Sequence, residues 1–282
     1  MALSNKQKDK IKLLLEKKIE DKLKRYTRET SSMPFLTRLI QDSEKVAAYS
    51  FIHSIATTLG MSIYEDVSKI IAEDNSEECF TEYDVGGVIS REQRYIIDDI
   101  IRKLRNGEKK VNHDEEIKQI LSASARDGKI QKEGRIADFY MLRDNVEHYF
   151  EIKTVKPNID VFTKSKVKLL EWVARRRKPV KVFLAFPYNP YYPQPYERFT
   201  EQGVLERGKE FLIGKEYWDF LGGDNTFENL LELFDLVGKK FKEKIQQKIK
   251  QVAKEKKWKE FKKICLQARY RPTILQSEIR KT

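Results

Sequence analysis

The sequence predicts an α/β protein whose strands sit inside a helical frame, and three observations carry that prediction. Apolar residues recur at three- and four-residue spacing towards both ends of the chain, the period of amphipathic helices. In the middle the period changes, and 135–141 and 146–154 read as two strands with Arg143-Asp144-Asn145 between them as a hairpin turn. Val180–Phe186 is then almost wholly apolar, as a strand covered on both faces must be.

The elements follow in order. Residues 4–27 read as a helix, opened by a Ser4/Gln7 capping box and striped by Ile11, Leu15, Ile19 and Leu23. Ser31-Ser32-Met33-Pro34 breaks it. A helix over 43–59 carries Val46, Tyr49, Ile52 and Ile55. Gly60 interrupts it, and 61–72 continues with Tyr64, Val67, Ile70 and Ile71. Gly86-Gly87 marks a turn. Ser90 and Gln93 form a second capping box, opening a helix with Ile96, Ile97, Ile100, Ile101 and Leu104 inward, and Asn106-Gly107 ends it. A shorter helix over 113–125 precedes the strands. A lysine-rich helix over 163–176 separates the hairpin from the third strand. Pro187–Tyr196 has the composition of an extended loop, and from about 227 the chain is helical again.

Charge narrows the function classes. The 282 residues carry 56 Lys+Arg against 44 Asp+Glu, a net +12, so a polyanion is the expected partner. Lys239 to Lys263 holds twelve Lys and three Glu behind a thin stripe of Phe241, Ile245, Ile249 and Val252. That pattern suits either a solvated helix or an arm that tracks phosphates. No apolar run approaches the ~18 residues of a membrane span, and Asn5–Lys10 is charged where a secretory leader would be apolar. Cys79 and Cys265 are too few for a disulfide framework or a cysteine-based zinc site. The three histidines do not cluster, and no P-loop pattern occurs. The expectation is a soluble cytoplasmic protein.

The chemistry gathers at Asp138 and at Glu151-Ile152-Lys153. Glu151 and Lys153 are two apart in a strand and so share a face, while Phe150 and Ile152 face a core. A hairpin turning near Asp144 brings Asp138 beside Glu151. Two converging carboxylates flanked by an ammonium invite a hard cation such as Mg²⁺, which takes one or two carboxylates together with waters and phosphate oxygens. Such an ion suits phosphodiester hydrolysis, with Lys153 positioned to orient water or stabilise charge. The Glu-x-Lys element starts at Glu16, Glu20, Glu108, Glu116, Glu151, Glu255 and Glu260, but only Glu151 lies in a strand that follows an Asp-bearing strand.

At these residues the sequence resembles the PD-(D/E)xK nuclease superfamily, with Ala137 standing where the motif's name has proline. The resemblance implies a restriction-endonuclease-like core, a mixed β-sheet flanked by helices, with helical N- and C-terminal extensions. Gly60–Glu65 resembles the helix that supplies a further acidic residue, which makes Glu65 the candidate and Glu116 the alternative. Asp138, Glu151 and Ile152 form the implied metal set. Pro34–Leu39, Ser50–Ser54, Thr58-Leu59-Gly60, Glu151–Asn158 and Glu216–Gly223 together resemble the TdeIII-type restriction endonucleases over roughly 33–238. That implies a Mg²⁺-dependent type II enzyme cutting double-stranded DNA at a short palindrome such as GGNCC, a homodimer, and a partner DNA methyltransferase. On this reading 1–110 is a mainly helical region contributing to the core. Residues 111–238 are the α/β nuclease core with its recognition loop, and 239–282 is a lysine-rich helical region, all within one catalytic unit.

Lys156, Asn158, Lys164, Lys166 and Lys168 are candidate phosphate contacts or an exposed helix face, and Asn189, Gln194 and Arg198 are candidate base readers. A repair or structure-selective nuclease, or a basic nucleic-acid-binding protein without chemistry, are the rival expectations.

Overall fold

Asp144 and Asn145 adopt positive φ angles of 54° and 58°, so the hairpin closes through the two-residue turn whose twist matches its strands. The computed structural model describes residues 3–26, 34–124, 126–128, 133–154, 158–197 and 203–269, with 253–269 described as backbone. Its sheet has five strands in spatial order β1 (Glu78–Asp84), β2 (Ile136–Arg143), β3 (Val146–Ile152), β4 (Lys181–Phe186) and β5 (Phe211–Ile213). The first three are antiparallel to their neighbours, and β3, β4 and β5 run parallel, so the sheet is mixed as expected.

The helices are α1 (Asn5–Arg25), α2 (Pro34–Ile40), α3 (Ser43–Thr58), α4 (Tyr64–Ala72), α5 (Arg91–Arg105), α6 (His113–Ser122), α7 (Ile159–Arg176), α8 (Lys215–Gly222) and α9 (Thr226–Arg269). A π-helical turn over Leu59–Ile63 separates α3 from α4. Both capping boxes form: Ser4 with Gln7, and Ser90 with Gln93. Among the described residues no helix is long and apolar enough to cross a membrane.

The chain divides into two units, residues 1–14 with 59–234 and residues 15–58 with 235–282. In the first, α7 covers one face of the sheet and α5 and α6 pack on α7. Tyr140 and Tyr149 meet here at a tilt, ring centres 5.2 Å apart, and Tyr149 lies 6.0 Å from Trp172 of α7. On the opposite face Phe150 packs on Phe183 and on Tyr217 and Phe220 of α8. In the second unit Tyr26, Ala47, Phe51 and Val252 form a small core with Ile245 and Ile249, the stripe read in the lysine-rich segment.

Several elements depart from the expectation, among them α8, which is not anticipated. β1 mixes charged, polar and apolar residues and pairs with β2 alone among the described strands, so it lacks the apolar run of an inner strand. β5 is three residues long, too short for a period. The first helix ends before Pro34 as expected, but α2 is not anticipated: Pro34 begins it, where its missing N–H costs nothing. Residues 187–196 are turned rather than extended, because Asn189 accepts the Tyr191 N–H through its side chain and the Tyr192 N–H through its carbonyl.

A buried ionic network ties α6, α7 and the segment before β5. The Lys166 ammonium lies 2.5 Å from Glu116 and 2.5 Å from Glu210, all three fully buried, and His113 Nδ1 is 3.0 Å from Glu210. Burial pushes the Glu210 carboxyl up, but Lys166 and His113 outweigh it and hold it below the usual range. Removing one partner from such a network leaves an uncompensated buried charge. Lys166→Met is therefore expected to lower unfolding free energy by about 3–5 kcal/mol in urea titration. Adding Glu116→Gln and Glu210→Gln should recover part of that loss, and an unchanged midpoint in the single variant would refute the account.

Candidate active site

β2 and β3 pair Phe139 with Phe150, and one step further the same register sets Asp138 opposite Glu151. The Ile152 N–H donates to Asp138 Oδ2 at 2.7 Å, which fixes that carboxylate against the end of β3. Lys153 follows β3, and its own N–H donates to the Ala185 carbonyl of β4 at 3.0 Å. The Lys153 ammonium is 2.6 Å from Glu151 Oε1 and 3.7 Å from Asp138 Oδ2. Three predicted residues thus share one point at the end of the central strands.

Lys168 of α7 completes the group. Its ammonium pairs with Glu151 Oε2, and it lies 5.3 Å over the Trp172 ring. The spacing alone does not set Lys168 apart from Lys164, one turn earlier on nearly the same side of α7.

Glu65 lies in the first turn of α4, directly after the π-helical turn. Gly60 in that turn meets the chain leaving β3: a Cβ there would stand 2.9 Å from Thr154 Cγ2. Burial, then the charge of Asp138, push the Glu65 carboxyl up to about 7, with Lys153 opposing. Asp138 is raised too, first by burial and then by Glu151. Burial pulls Lys153 down, but Glu151 and Asp138 outweigh it and hold the group above its ordinary value, as a cation rather than a base.

This donor set fits a hard divalent cation. Its oxygens are carboxylate, and burial and then the charge of Glu151 make Asp138 harder to ionise, a strain that a cation between the two would relieve. His113, Glu116 and Glu210 also lie close enough to share an ion, but the Lys166 ammonium already bridges their carboxylates.

Several expected contacts need correction. Lys166 is not available to a phosphate, because its side chain is fully buried on Glu116 and Glu210. Glu116, the alternative to Glu65, belongs to that network and not to this site. Asn189 is spent within its own loop: Oδ1 accepts the Tyr191 N–H and Nδ2 donates to the Gln194 carbonyl. Asn158 caps α7 by accepting the Val161 N–H. Lys164 and Gln194 are exposed. Lys156 and Arg198 lie outside the described residues. The basic run closing α7 is structural: Arg175 donates to the Gly86, Gly87 and Glu133 carbonyls, and Arg176 pairs with Glu147.

Glu65 gives a stability test with a definite sign. Its carboxyl holds a proton more tightly in the folded than in the unfolded chain, so folding loses stability as pH rises from about 4.5 to about 7. Glu65→Gln removes that loss. In EDTA its melting temperature should match the parent near pH 4 and exceed it at pH 8, and a constant offset across that range would rule the account out.

The HinfI family of type II restriction endonucleases matches residues 3–238. The chain is 31% identical over 213 residues to the type II restriction enzyme MjaII of Methanocaldococcus jannaschii, an alignment covering 69% of this chain and 56% of that relative. It is 29% identical over 209 residues to each of HgiEI and HgiBI of Herpetosiphon aurantiacus, covering 71% of this chain and 76% of theirs. No solved structure matches the chain. The mixed sheet, the carboxylate pair at its strand ends and a match running through nearly the whole α/β region agree, and the chain belongs to the HinfI family of type II restriction endonucleases.

Proposed function

We propose that this chain is a Mg²⁺-dependent endonuclease that hydrolyses phosphodiester bonds of double-stranded DNA at a short palindromic site. The convergence of Asp138, Glu151 and Lys153 from neighbouring strand ends is the observation that carries this reading. Asp138 and Glu151 would hold the ion, with Ile152 between Glu151 and Lys153 in the same set. When bound, Mg²⁺ supplies charge neutralisation for the phosphate and a more acidic water.

The chain's own residues do the rest. Lys153 stays protonated, so it offers positive charge and hydrogen-bond donors to phosphate oxygens instead of accepting a proton. Lys168 ties down the second oxygen of Glu151 and so sets its orientation. Glu65, with its raised carboxyl, adds a proton-bearing group beside Asp138. The net +12 of the chain draws DNA to it without reading sequence.

A palindrome has two-fold symmetry, which a symmetric homodimer reads with one site per strand. GGNCC is the site that the sequence resemblance implies. An enzyme of this kind works in the cytoplasm beside a DNA methyltransferase that protects the host's own sites.

Digestion of phage-length DNA tests the whole. Discrete fragments that need Mg²⁺ are expected, and sequencing their ends gives the site. Asp138→Asn and Glu151→Gln should abolish cutting while gel retardation persists. Lys153→Ala should slow cutting by about 10²-fold or more, and Lys168→Ala by about tenfold. A smear would reject site specificity. Full cutting by Asp138→Asn would reject the assignment of the site.

A further inference from the structure

Where the start of α4, α8 and the segment after β4 come together lies a cleft of about 280 Å³ with walls that are mostly aromatic or aliphatic. Tyr64, Trp218, Tyr188, Tyr192, Phe227 and Leu231 line it. Its rim is open, with Tyr192 58% and Leu231 45% exposed. Trp218 is fixed by donating its Nε1–H to the Pro187 carbonyl at 2.7 Å, so one flat wall is rigid. Among the described residues no side chain hydrogen-bonds the Tyr64 hydroxyl, and Asn189, Tyr188 and Tyr192 add a few more polar groups to a mostly apolar lining.

The walls are continuous with the site. Tyr64 immediately precedes Glu65 on α4. Tyr188 stands three residues beyond Ala185, whose carbonyl holds the Lys153 N–H. Trp218 follows Tyr217, which feels the charges of Asp138 and Glu65. The chain segment that carries Lys153 and the segment that carries Tyr188 thus leave the same edge of the sheet, the edge at which a phosphate held by Asp138 and Glu151 would sit. A flat, apolar ring with hydrogen-bonding edges is the ligand that aromatic walls and a few polar groups suit.

We propose that the cleft receives one nucleobase of the substrate, rotated out of the duplex next to the cut bond. This rests on the DNA-cleaving reading and adds to it a fixed strand position. Stacking on Trp218 and the tyrosines offsets the lost stacking in the duplex, and the Tyr64 hydroxyl meets the base edge. A base already unpaired enters more readily, because its pairing no longer has to be broken.

The test uses a duplex carrying the cleavage site and a set of copies, each with one mismatch made by changing the partner base. Binding is measured by gel retardation with Ca²⁺ in place of Mg²⁺. One position in each half-site is expected to bind about tenfold tighter when mismatched. Tyr188→Ala and Tyr192→Ala, both surface rings, should melt like the parent, bind the matched duplex about tenfold more weakly, and lose the mismatch preference. A flat mismatch profile, or a preference that survives both substitutions, overturns the proposal. So does a change of mass in light scattering with an unaltered profile, which would make the cleft a surface for a second copy. A parent protein that leaves the matched duplex uncut in Mg²⁺ overturns the DNA-cleaving reading itself, whereas a cut duplex with a flat profile overturns only the base pocket.

Discussion

The register between β2 and β3 is the constraint on which the site depends. Side chains alternate along a strand, so a slip of one residue would send Asp138 to the opposite face while Glu151 stayed. Two features hold the register. The Asp144-Asn145 turn allows only two residues between Arg143 and Val146, which pair directly. Tyr140 and Tyr149 then meet on the α7 face, and Phe139 and Phe150 on the face that α8 covers. Each face is filled by large rings, so a slipped register would bury charge and expose aromatic surface on both sides at once.

The fold contains two solutions to the same electrostatic problem. Carboxylates brought together out of water repel one another and resist ionisation. At Glu116 and Glu210 the solution is closed: Lys166 bridges the pair in a fully buried space, and Glu210 stays ionised. At Asp138, Glu151 and Glu65 the solution is left incomplete. Lys153 and Lys168 both sit on Glu151, yet Asp138 and Glu65 remain raised. The difference lies in where the spare charge goes. The first network fastens helices to the sheet, and the second keeps unrelieved negative charge beside a half-open strand end, where a cation and a phosphate can reach it.

How much of this was legible in the sequence follows from the range of each interaction. Helix boundaries, both capping boxes and the hairpin turn are local, and they were readable. Asp138, Glu151 and Lys153 were readable because a two-residue period and a short turn convert sequence spacing into position. Glu65 needed the resemblance, since nothing within α4 says which strand end it faces. The lysines of α7 show the limit. Lys164, Lys166 and Lys168 look alike in sequence, yet Lys166, roughly 200° from either neighbour, enters a buried network, while Lys164 and Lys168, roughly 40° apart, end one in solvent and one on Glu151. Only packing distinguishes them. β1 and β5 were missed for a related reason: an edge strand and a three-residue strand owe their existence to the neighbour they pair with, not to a pattern of their own.

The parallel half of the sheet explains why catalytic charge and aromatic surface occur together. β3 and β4 run side by side in one direction, so both release their chains at the same edge. Parallel strands buried on two faces end at a crevice where helices can no longer cover them. β3 delivers Glu151 and Lys153 to that crevice, and β4 delivers Pro187 and the turned tyrosine segment. α4 and α8 enter from the side with Glu65, Tyr64 and Trp218. At the strand tips Glu151 is buried while Lys153 is partly exposed, and rings a few residues further along line a mostly apolar hollow. One edge of one sheet thereby carries both the groups proposed to meet a phosphate and the rings proposed to stack on a base.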